Sequence, residues 1–142
     1  MTVRVRRTFE FAAPPEAVWS FIADPAKRAG AISVVDDYEL HGDGDATWHV
    51  RLPIPVVRST IAVETEEVER DPPRHVRFVG TSAAFRVTGE HTVEPLPDGG
   101  TRLDNEFVVE GKLPGVERFF ERRFEAELEG LEAALRAEVA ES

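Results

Sequence analysis

The sequence predicts an α+β fold in which seven antiparallel strands form a curved sheet and a long C-terminal helix packs on one face. Three observations lead to this prediction. Apolar and polar residues alternate through most of the chain, which is typical of half-buried strands. Residues 12–29 interrupt the alternation with two short helices between the first and second strands. From residue 114 onward the apolar residues recur at helical spacing.

The composition is that of an acidic globular protein. The chain has 142 residues, 42% of them hydrophobic and 31% charged, so residues 1–142 are expected to form a single domain. The net charge of −10 disfavours nucleic acid, whose phosphates it would repel. Lysine occurs only at Lys27 and Lys112, which fits a salt-rich cytoplasm or a GC-rich genome.

The sequence contains no cysteine, no pattern of a signal peptide and no long apolar run. Without cysteine the chain has no disulfide, thiol nucleophile or sulfur-ligated zinc. The opening "MTVRVRRTFEF" alternates polar and apolar residues, unlike a signal peptide, and no run of about 18 apolar residues could span a membrane. A cytoplasmic location is therefore expected.

The first strand and the short helices are placed by local signals. Alternation predicts a strand over residues 2–11. Pro14 and Pro15 suit the first turn of a helix, where the missing N–H does no harm. Asp24 before a proline predicts the end of that helix and the N-cap of another turn, which runs to Gly30.

The remaining strands are bounded by turn residues. The alternation predicts a hairpin over 33–53 with its turn at 42–45, an extended connection at Pro53 and Pro55, and further strands over 56–70, 74–82, 84–96 and 101–111. Consecutive strands joined by tight turns are antiparallel neighbours.

The C-terminal helix is predicted to present a wide apolar arc. Its members are Val116, Phe119, Phe120, Phe124, Leu128, Gly130, Leu131, Ala134, Leu135 and Ala137. An arc of this width suits a helix lying along a curved sheet better than a coiled-coil seam.

The order of these motifs resembles the START-like, or SRPBCC, superfamily and its helix-grip fold. The residues that carry the resemblance are "APPEAVWSFIADPAKRAG", "DPPRHVRF", "PDGGTRL" and the closing amphipathic helix. The chain is most similar to general polyketide cyclase-like members and to those associated with carbon monoxide dehydrogenase, although Ala31-Ile32-Ser33 stand where the latter often have Ile-Pro-Gly. The resemblance implies an apolar cavity between sheet and long helix, closed at one end by the short helices.

Strand parity predicts which side chains face that cavity. Inward positions include Val57 and Ser59 before Ile61 and Val63 on one strand, with Ser59 expected as a small lining residue. The predicted ligand-binding residues are Trp48, Ser59, Ile61, Phe78, Phe85, Val87, His91, Asn105, Phe107, Phe120 and Arg123.

Polar residues on the inward faces need partners, because an unpaired buried polar group costs roughly 1–3 kcal/mol. A hairpin centred on Asp98 pairs His91 with Asn105, either as a proton-handling or ligand-polarising pair or as two residues that satisfy each other. His91 is the candidate catalytic residue.

Two arginines also interrupt apolar faces. Arg123 with Glu127 forms either an ion pair at the cavity mouth or a site for a ligand carboxylate or enolate. Arg7 is expected to pair locally with Glu39 or Glu110.

No metal and no cofactor are predicted. His41, His49 and His75 fall on hairpin or outward positions, and the "GDGD" at 42–45 lacks the other ligands of a calcium loop. The chain has no glycine-rich phosphate loop and no nucleophile with a suitably spaced histidine and acid.

Three functions remain open. The first is a binding protein that encloses a small hydrophobic or amphipathic molecule. The second is a cyclase/dehydratase-type enzyme in which His91 transfers a proton, acting as a lyase or isomerase. The third is an assembly factor similar to the proteins associated with carbon monoxide dehydrogenase, with a protein partner docked on its acidic surface or its helix.

Overall fold

The structure is a computed structural model that describes residues 2–42, 44–53 and 59–140. Within these residues the element order is one strand, two short helices, six strands and a long helix. The strands are β1 (Thr2–Phe11), β2 (Val35–Gly42), β3 (Asp45–Val50), β4 (Ile61–Asp71), β5 (His75–Thr81), β6 (Phe85–Pro95) and β7 (Thr101–Gly111). The helices are α1 (Pro15–Ile22), α2 (Pro25–Gly30) and α3 (Val116–Ala140). The α+β, helix-grip prediction is confirmed.

The strands form one antiparallel sheet in the order β1-β7-β6-β5-β4-β3-β2. Each strand from β2 to β7 pairs with the next along the chain, as the tight turns predict. β1 pairs with β7, with Thr2 opposite Glu110 and Phe11 opposite Thr101. The first and last strands are therefore neighbours, while β1 and β2 form the two edges.

The long helix packs on the inner face of the sheet through a narrower stripe than the sequence predicts. Its buried side chains are Val116, Phe120, Phe124, Leu128, Leu131 and Leu135. Gly130 and Ala137, expected to widen the apolar arc, are exposed. A cylinder that lies along a sheet touches it over a strip, so residues at the margin of the arc stay in solvent.

The two short helices connect the sheet to α3. α1 contacts β6, β7 and α3, and α2 lies against β2 and β3. The Asp24 side chain accepts a hydrogen bond from the Ala26 N–H at 2.9 Å, which confirms the predicted N-cap of α2. These contacts close one end of the groove between sheet and helix.

The predicted hairpin turn is bounded by two glycines with positive φ, Gly42 at 91° and Gly44 at 85°. Asp43, between them, lies outside the described residues, as do Pro55 and Val57 of the predicted connection and strand. Among the described residues β4 begins at Ile61 instead of residue 56.

A glycine on the inner face sets the position of the central aromatic ring. Gly89 of β6 lies opposite Phe78 of β5, and a Cβ on Gly89 would overlap the Phe78 ring. The missing side chain lets that ring lie flat across the neighbouring strand. Phe78 thereby reaches the middle of the space below α3.

Candidate functional site

A partly open apolar cavity of about 60 Å³ lies between the inner face of the sheet and α3. Seven predicted site residues line it, namely Trp48, Phe78, Phe85, Val87, His91, Phe107 and Phe120. Apolar neighbours that complete the wall are Ile32, Val34, Val35, Val50, Val109, Phe124, Leu128 and Leu131. This volume is smaller than the apolar cavity of about 150 Å³ that binds benzene in an engineered protein core.

Aromatic rings occupy much of the remaining space. The Phe78 ring centroid lies 5.6 Å from that of Trp48 and 6.4 Å from that of Phe107. Phe124 of α3 stacks on Phe107 at 6.1 Å and contacts Phe120 at 5.5 Å. A single ring with a short substituent therefore fits only when these rings move apart or when part of the molecule extends through the open side of the cavity.

His91 and Asn105 form the predicted cross-strand pair. They lie opposite each other on β6 and β7, and both are buried. His91 Nδ1 is 2.7 Å from Asn105 Oδ1, while Asn105 Nδ2 donates to the Arg7 carbonyl at 3.4 Å. Since the amide nitrogen already donates to Arg7, Oδ1 is the acceptor and His91 Nδ1 carries the proton. Nε2 is then a lone-pair acceptor in the cavity wall.

Burial keeps His91 neutral. Desolvation is the main cause that lowers its pKa from 6.5 to about 4, and the nearby Arg28 charge lowers it further against the opposing Asn105 hydrogen bond. At neutral pH the ring therefore presents an uncharged Nε2. In the described part of the chain this atom has no protein hydrogen-bond partner.

Arg28 of α2 is a charged residue of the cavity wall that the sequence reasoning missed. Its side chain is 5% exposed, and its Cζ lies 5.1 Å from the Phe78 ring centroid. Nη1 donates to the Ile22 carbonyl at 3.0 Å, and Nη2 donates to Glu67 Oε2 at 3.1 Å. Nε is buried without a hydrogen-bond partner among the described residues.

The carboxylate that faces Arg28 is also buried. Glu67 of β4 is 5% exposed and accepts a second hydrogen bond, at 2.6 Å, from Arg70 Nη1. Burial lowers the pKa of Arg28, and the attraction of Glu67 opposes that shift. A guanidinium stays protonated in proteins, so the wall contains a desolvated cation. Val63, Thr65 and Glu67 are alternate residues of β4, so their side chains all lie on its inner face. An acidic residue at such an inward position is the sequence signal for a buried carboxylate that needs a basic partner.

The other charged side chain of the wall, Glu127, is held by the loop between α2 and β2. The Ser33 backbone N–H donates to Glu127 Oε2 at 2.9 Å, and the Ser33 hydroxyl donates to Oε1. Arg123 Nη2 lies 3.8 Å from Glu127 Oε1, so the predicted Arg123–Glu127 ion pair is present. These contacts tie the loop to α3 beside the cavity.

Several predicted positions are different in the structure. Ser59 is exposed and precedes β4, because the strand does not extend as far back as the alternation suggests. Arg123 is 47% exposed and lies over the Phe119 ring outside the cavity lining. Ile61 is partly buried and packs against the core beside the cavity. Asn105 is not part of the cavity lining and is connected to it by its hydrogen bond with His91.

Arg7 pairs with neither of the acids expected. Its Nη2 donates to Glu125 of α3 instead of Glu39 or Glu110. Arg7 lies on the inner face of β1, so its long side chain meets the helix that covers that face. Glu39 contacts His49, and Glu110 lies near Arg86.

Polar groups also gather on the outer face of the sheet. Glu69, His75 and Glu90 each offer one possible metal-ligand atom within 4.8 Å of the others. His75 uses its two ring nitrogens toward different carboxylates, with Nε2 at 2.7 Å from Glu90 and Nδ1 at 3.6 Å from Glu69. These side chains are exposed or half-buried and contact one another directly, an arrangement that is common on protein surfaces without a metal, so we assign no metal site to them.

A second cleft, of about 310 Å³, lies on the outer face over β4 and β5. It is larger than the inner cavity and about as open to solvent, but polar groups form much of its lining, including His41, Asp45, Glu64 and Glu66. Sites for small organic ligands are lined mostly by apolar side chains with a few polar groups, and the inner cavity has that lining. The inner cavity is the candidate site for this reason. No described helix has the length and apolar character needed to cross a bilayer.

Comparison with protein families gives one match over nearly the whole chain. The profile of the family described as polyketide cyclase / dehydrase and lipid transport matches residues 2–136. No curated protein sequence matches the chain.

Solved structures share the fold. A conserved protein from Geobacillus kaustophilus has 20% identity and a TM-score of 0.79, with 99% of this chain and 97% of that chain covered. A START superfamily protein from Mycobacterium smegmatis has 19% identity and a TM-score of 0.73, with 97% of each chain covered. The Zhui aromatase/cyclase from Streptomyces sp. R1128 has 19% identity and a TM-score of 0.68, with 98% and 92% covered. At these identities the likeness concerns the fold.

Proposed function

The chain belongs to the polyketide cyclase/dehydrase and lipid-transport family, and we propose that it is a binding protein for a small amphipathic molecule held between sheet and α3. The observation that supports this proposal best is the apolar cavity whose wall contains an uncharged His91 acceptor and the Arg28 cation. Apolar enclosure supplies affinity, at about 25 cal/mol per Å² buried, and the two polar groups orient the ligand.

The cavity contains its own fluorescent reporter. Trp48 lines the cavity and is 6% exposed, whereas Trp19, the other tryptophan, lies under Arg70. A Trp19→Phe background therefore leaves Trp48 as the single reporter. Titration of this protein with propylbenzene, a ring with a short chain, is expected to change the Trp48 emission with saturation at one molecule per protein.

A matched pair of substitutions separates the cavity from the surface. Val87 lines the cavity, and Val68 is 41% exposed. Val87→Phe fills the space and is expected to abolish the titration, while Val68→Phe adds the same ring outside and leaves it intact. An unchanged titration in Val87→Phe, or no response of Trp48 in the parent, would contradict the proposal.

A second candidate function, a cyclase/dehydratase-type enzyme, is favoured by the neutral Nε2 of His91 in the cavity wall. A relative of similar fold is described as an aromatase/cyclase. However, a general base works best when its pKa lies near the operating pH, and that of His91 is lowered to about 4. The structure therefore favours binding over proton transfer at neutral pH.

This alternative has its own assay. Proton abstraction next to a carbonyl would exchange the acetyl methyl protons of 4-propylacetophenone for deuterium. In deuterated buffer the protein would make this exchange faster, as followed by NMR. His91→Gln would remove the acceleration under the enzyme hypothesis while it only weakened binding under the carrier hypothesis. Exchange no faster than in buffer would rule out proton transfer to His91 for this ketone.

A further inference from the structure

We propose that Arg28 makes the cavity selective for ligands that carry a carboxylate beside their apolar body. This inference rests on the proposed binding function and adds the chemical class of the head group. It starts from a side chain that is only 5% exposed, lines the cavity and still has an unused donor.

The protein satisfies only part of this guanidinium. Arg28 has five N–H donors, and its protein acceptors among the described residues are the Ile22 carbonyl and Glu67. Its Nε–H has no acceptor in this part of the chain, although an unsatisfied buried donor is costly. Nε itself is covered by neighbouring atoms, so a ligand oxygen would remove this deficit after a small shift of the Phe78 ring that lies against the guanidinium.

The partner of Arg28 is shared with a second cation. Glu67 accepts from both Arg28 and Arg70, so one buried carboxylate serves two guanidinium groups. Asp24, whose carboxylate caps α2, adds the weakest of the attractions acting on Arg28. The cavity side of Arg28 is therefore only partly neutralised by the protein.

The remaining polar atoms of the wall do not compete for an anion. Glu127 repels one and is itself hydrogen-bonded by Ser33. His91 presents a neutral lone pair, which accepts a hydrogen bond and donates none. Arg28 is thus the donor in the wall suited to a carboxylate, and hydrogen bonds between ions are about twice as strong as neutral ones.

The test uses one apolar body with three head groups and with none. 4-Propylbenzoate, 4-propylbenzyl alcohol and 4-propylbenzylammonium are titrated against the Trp19→Phe protein, with propylbenzene as the reference that lacks a head group. We expect the carboxylate to bind about ten-fold to a hundred-fold more tightly than propylbenzene, since a charge-assisted hydrogen bond contributes on that scale. The ammonium compound is expected to bind least tightly.

Substitution assigns the preference to Arg28. Arg28→Met is expected to remove the preference, so that the ratio of the affinity for 4-propylbenzoate to the affinity for propylbenzene, both measured in the variant, falls to about one. Arg122→Met, which removes an exposed arginine from α3, is the charge-matched control and should keep the preference.

A direct measurement covers the case in which Arg28→Met does not fold. The Arg28 Nε–H resonance is observed in ¹⁵N-labelled protein and assigned by its loss in Arg28→Lys. Saturating 4-propylbenzoate should shift this resonance downfield, and propylbenzene should not.

The outcomes separate this inference from the proposed function. Equal affinity for all four probes, or a carboxylate preference that survives in Arg28→Met, overturns the role of Arg28 and leaves the binding function intact. An Nε–H resonance that does not respond to the bound carboxylate does the same. Failure of every probe to bind, propylbenzene included, overturns both.

Discussion

Two buried polar pairs lie beside the same cavity, and each contributes one member to its wall. His91 and Asn105 join adjacent strands, are both neutral, and satisfy each other at 2.7 Å. Arg28 and Glu67 join a short helix to β4 and are both charged, and Glu67 also accepts a hydrogen bond from Arg70. The first pair is completed within the sheet, whereas the second depends on how a helix is docked.

The two pairs are expected to lose different amounts of stability when one partner is removed. Burial of a neutral hydrogen-bonded pair costs little, because the bond replaces those made to water. Burial of two ions costs several kcal/mol for each, which only good mutual geometry offsets. The charged pair is therefore the more fragile of the two, and it holds the donor that a ligand can still use.

The largest expected effect is the loss of Glu67. Glu67→Gln leaves the buried Arg28 without its carboxylate and is expected to lower the free energy of unfolding by about 3–5 kcal/mol. Arg28→Met should cost less, because Glu67 keeps Arg70. Urea denaturation of both variants measures the difference, and an equal or larger loss in Arg28→Met would show that Arg70 does not support Glu67.

The neutral pair is sensitive to pH instead. The pKa of His91 is 6.5 in the unfolded chain and about 4 in the fold, so between these values the unfolded state binds more protons. The contribution of neutral His91 to the free energy of unfolding is therefore fully present above about pH 6.5. It is lost as the pH drops to about 4, by at most about 3 kcal/mol.

His91→Gln isolates this contribution. The difference in unfolding free energy between parent and variant should depend on pH in the window from 6.5 to 4. The pKa of Asp104, lowered mainly by its hydrogen bond from Arg6, produces its effect below 3.8, outside that window. A difference that stays constant from pH 7 to 4 would mean that His91 titrates with an ordinary pKa in the fold.

A smaller effect is expected where the backbone makes room for the central ring. Gly89→Ala places a Cβ against Phe78 and forces that ring toward the cavity, at a cost of about 1–3 kcal/mol. Gly30→Ala is the matched control, because open space surrounds Gly30. Thermal unfolding should separate the two variants, and equal Tm values would indicate that Phe78 moves aside freely.

The smallest effect is expected at the cavity mouth. Arg123 is 47% exposed, so Arg123→Ala should change the unfolding free energy by less than about 1 kcal/mol. The same variant should bind propylbenzene as the parent does, because Arg123 lies outside the lining. A loss of binding would return Arg123 to the role that the sequence suggested for it.

The contrast between the pairs also explains what could be predicted from the sequence. Hairpin register determines which residues of β6 and β7 face each other, so His91 could be paired with Asn105 from the turn at Asp98. Arg28 and Glu67 lie 39 positions apart, and their contact depends on the docking of α2 against the sheet. The residue pattern within α2 or within β4 does not indicate that these two side chains meet.

The wrong predictions for Ser59 and Arg7 also arise because patterns within one strand do not indicate what lies beyond it. Alternation beyond the start of β4 placed Ser59 in the wall, although it lies in the segment before the strand. Arg7 was assigned an acid from the predicted sheet, but the inner face of β1 is covered by α3 and its Glu125. Patterns within a strand predict its face reliably, whereas the groups that cover that face come from elsewhere in the chain.

Xenon binding tests most directly whether sheet and helix leave an apolar space between them. Dry apolar cavities take up xenon. Diffraction from crystals held under xenon pressure should show one ordered atom in the cavity between sheet and α3, against the rings that line it. Crystals that take up no xenon in this cavity would contradict the account.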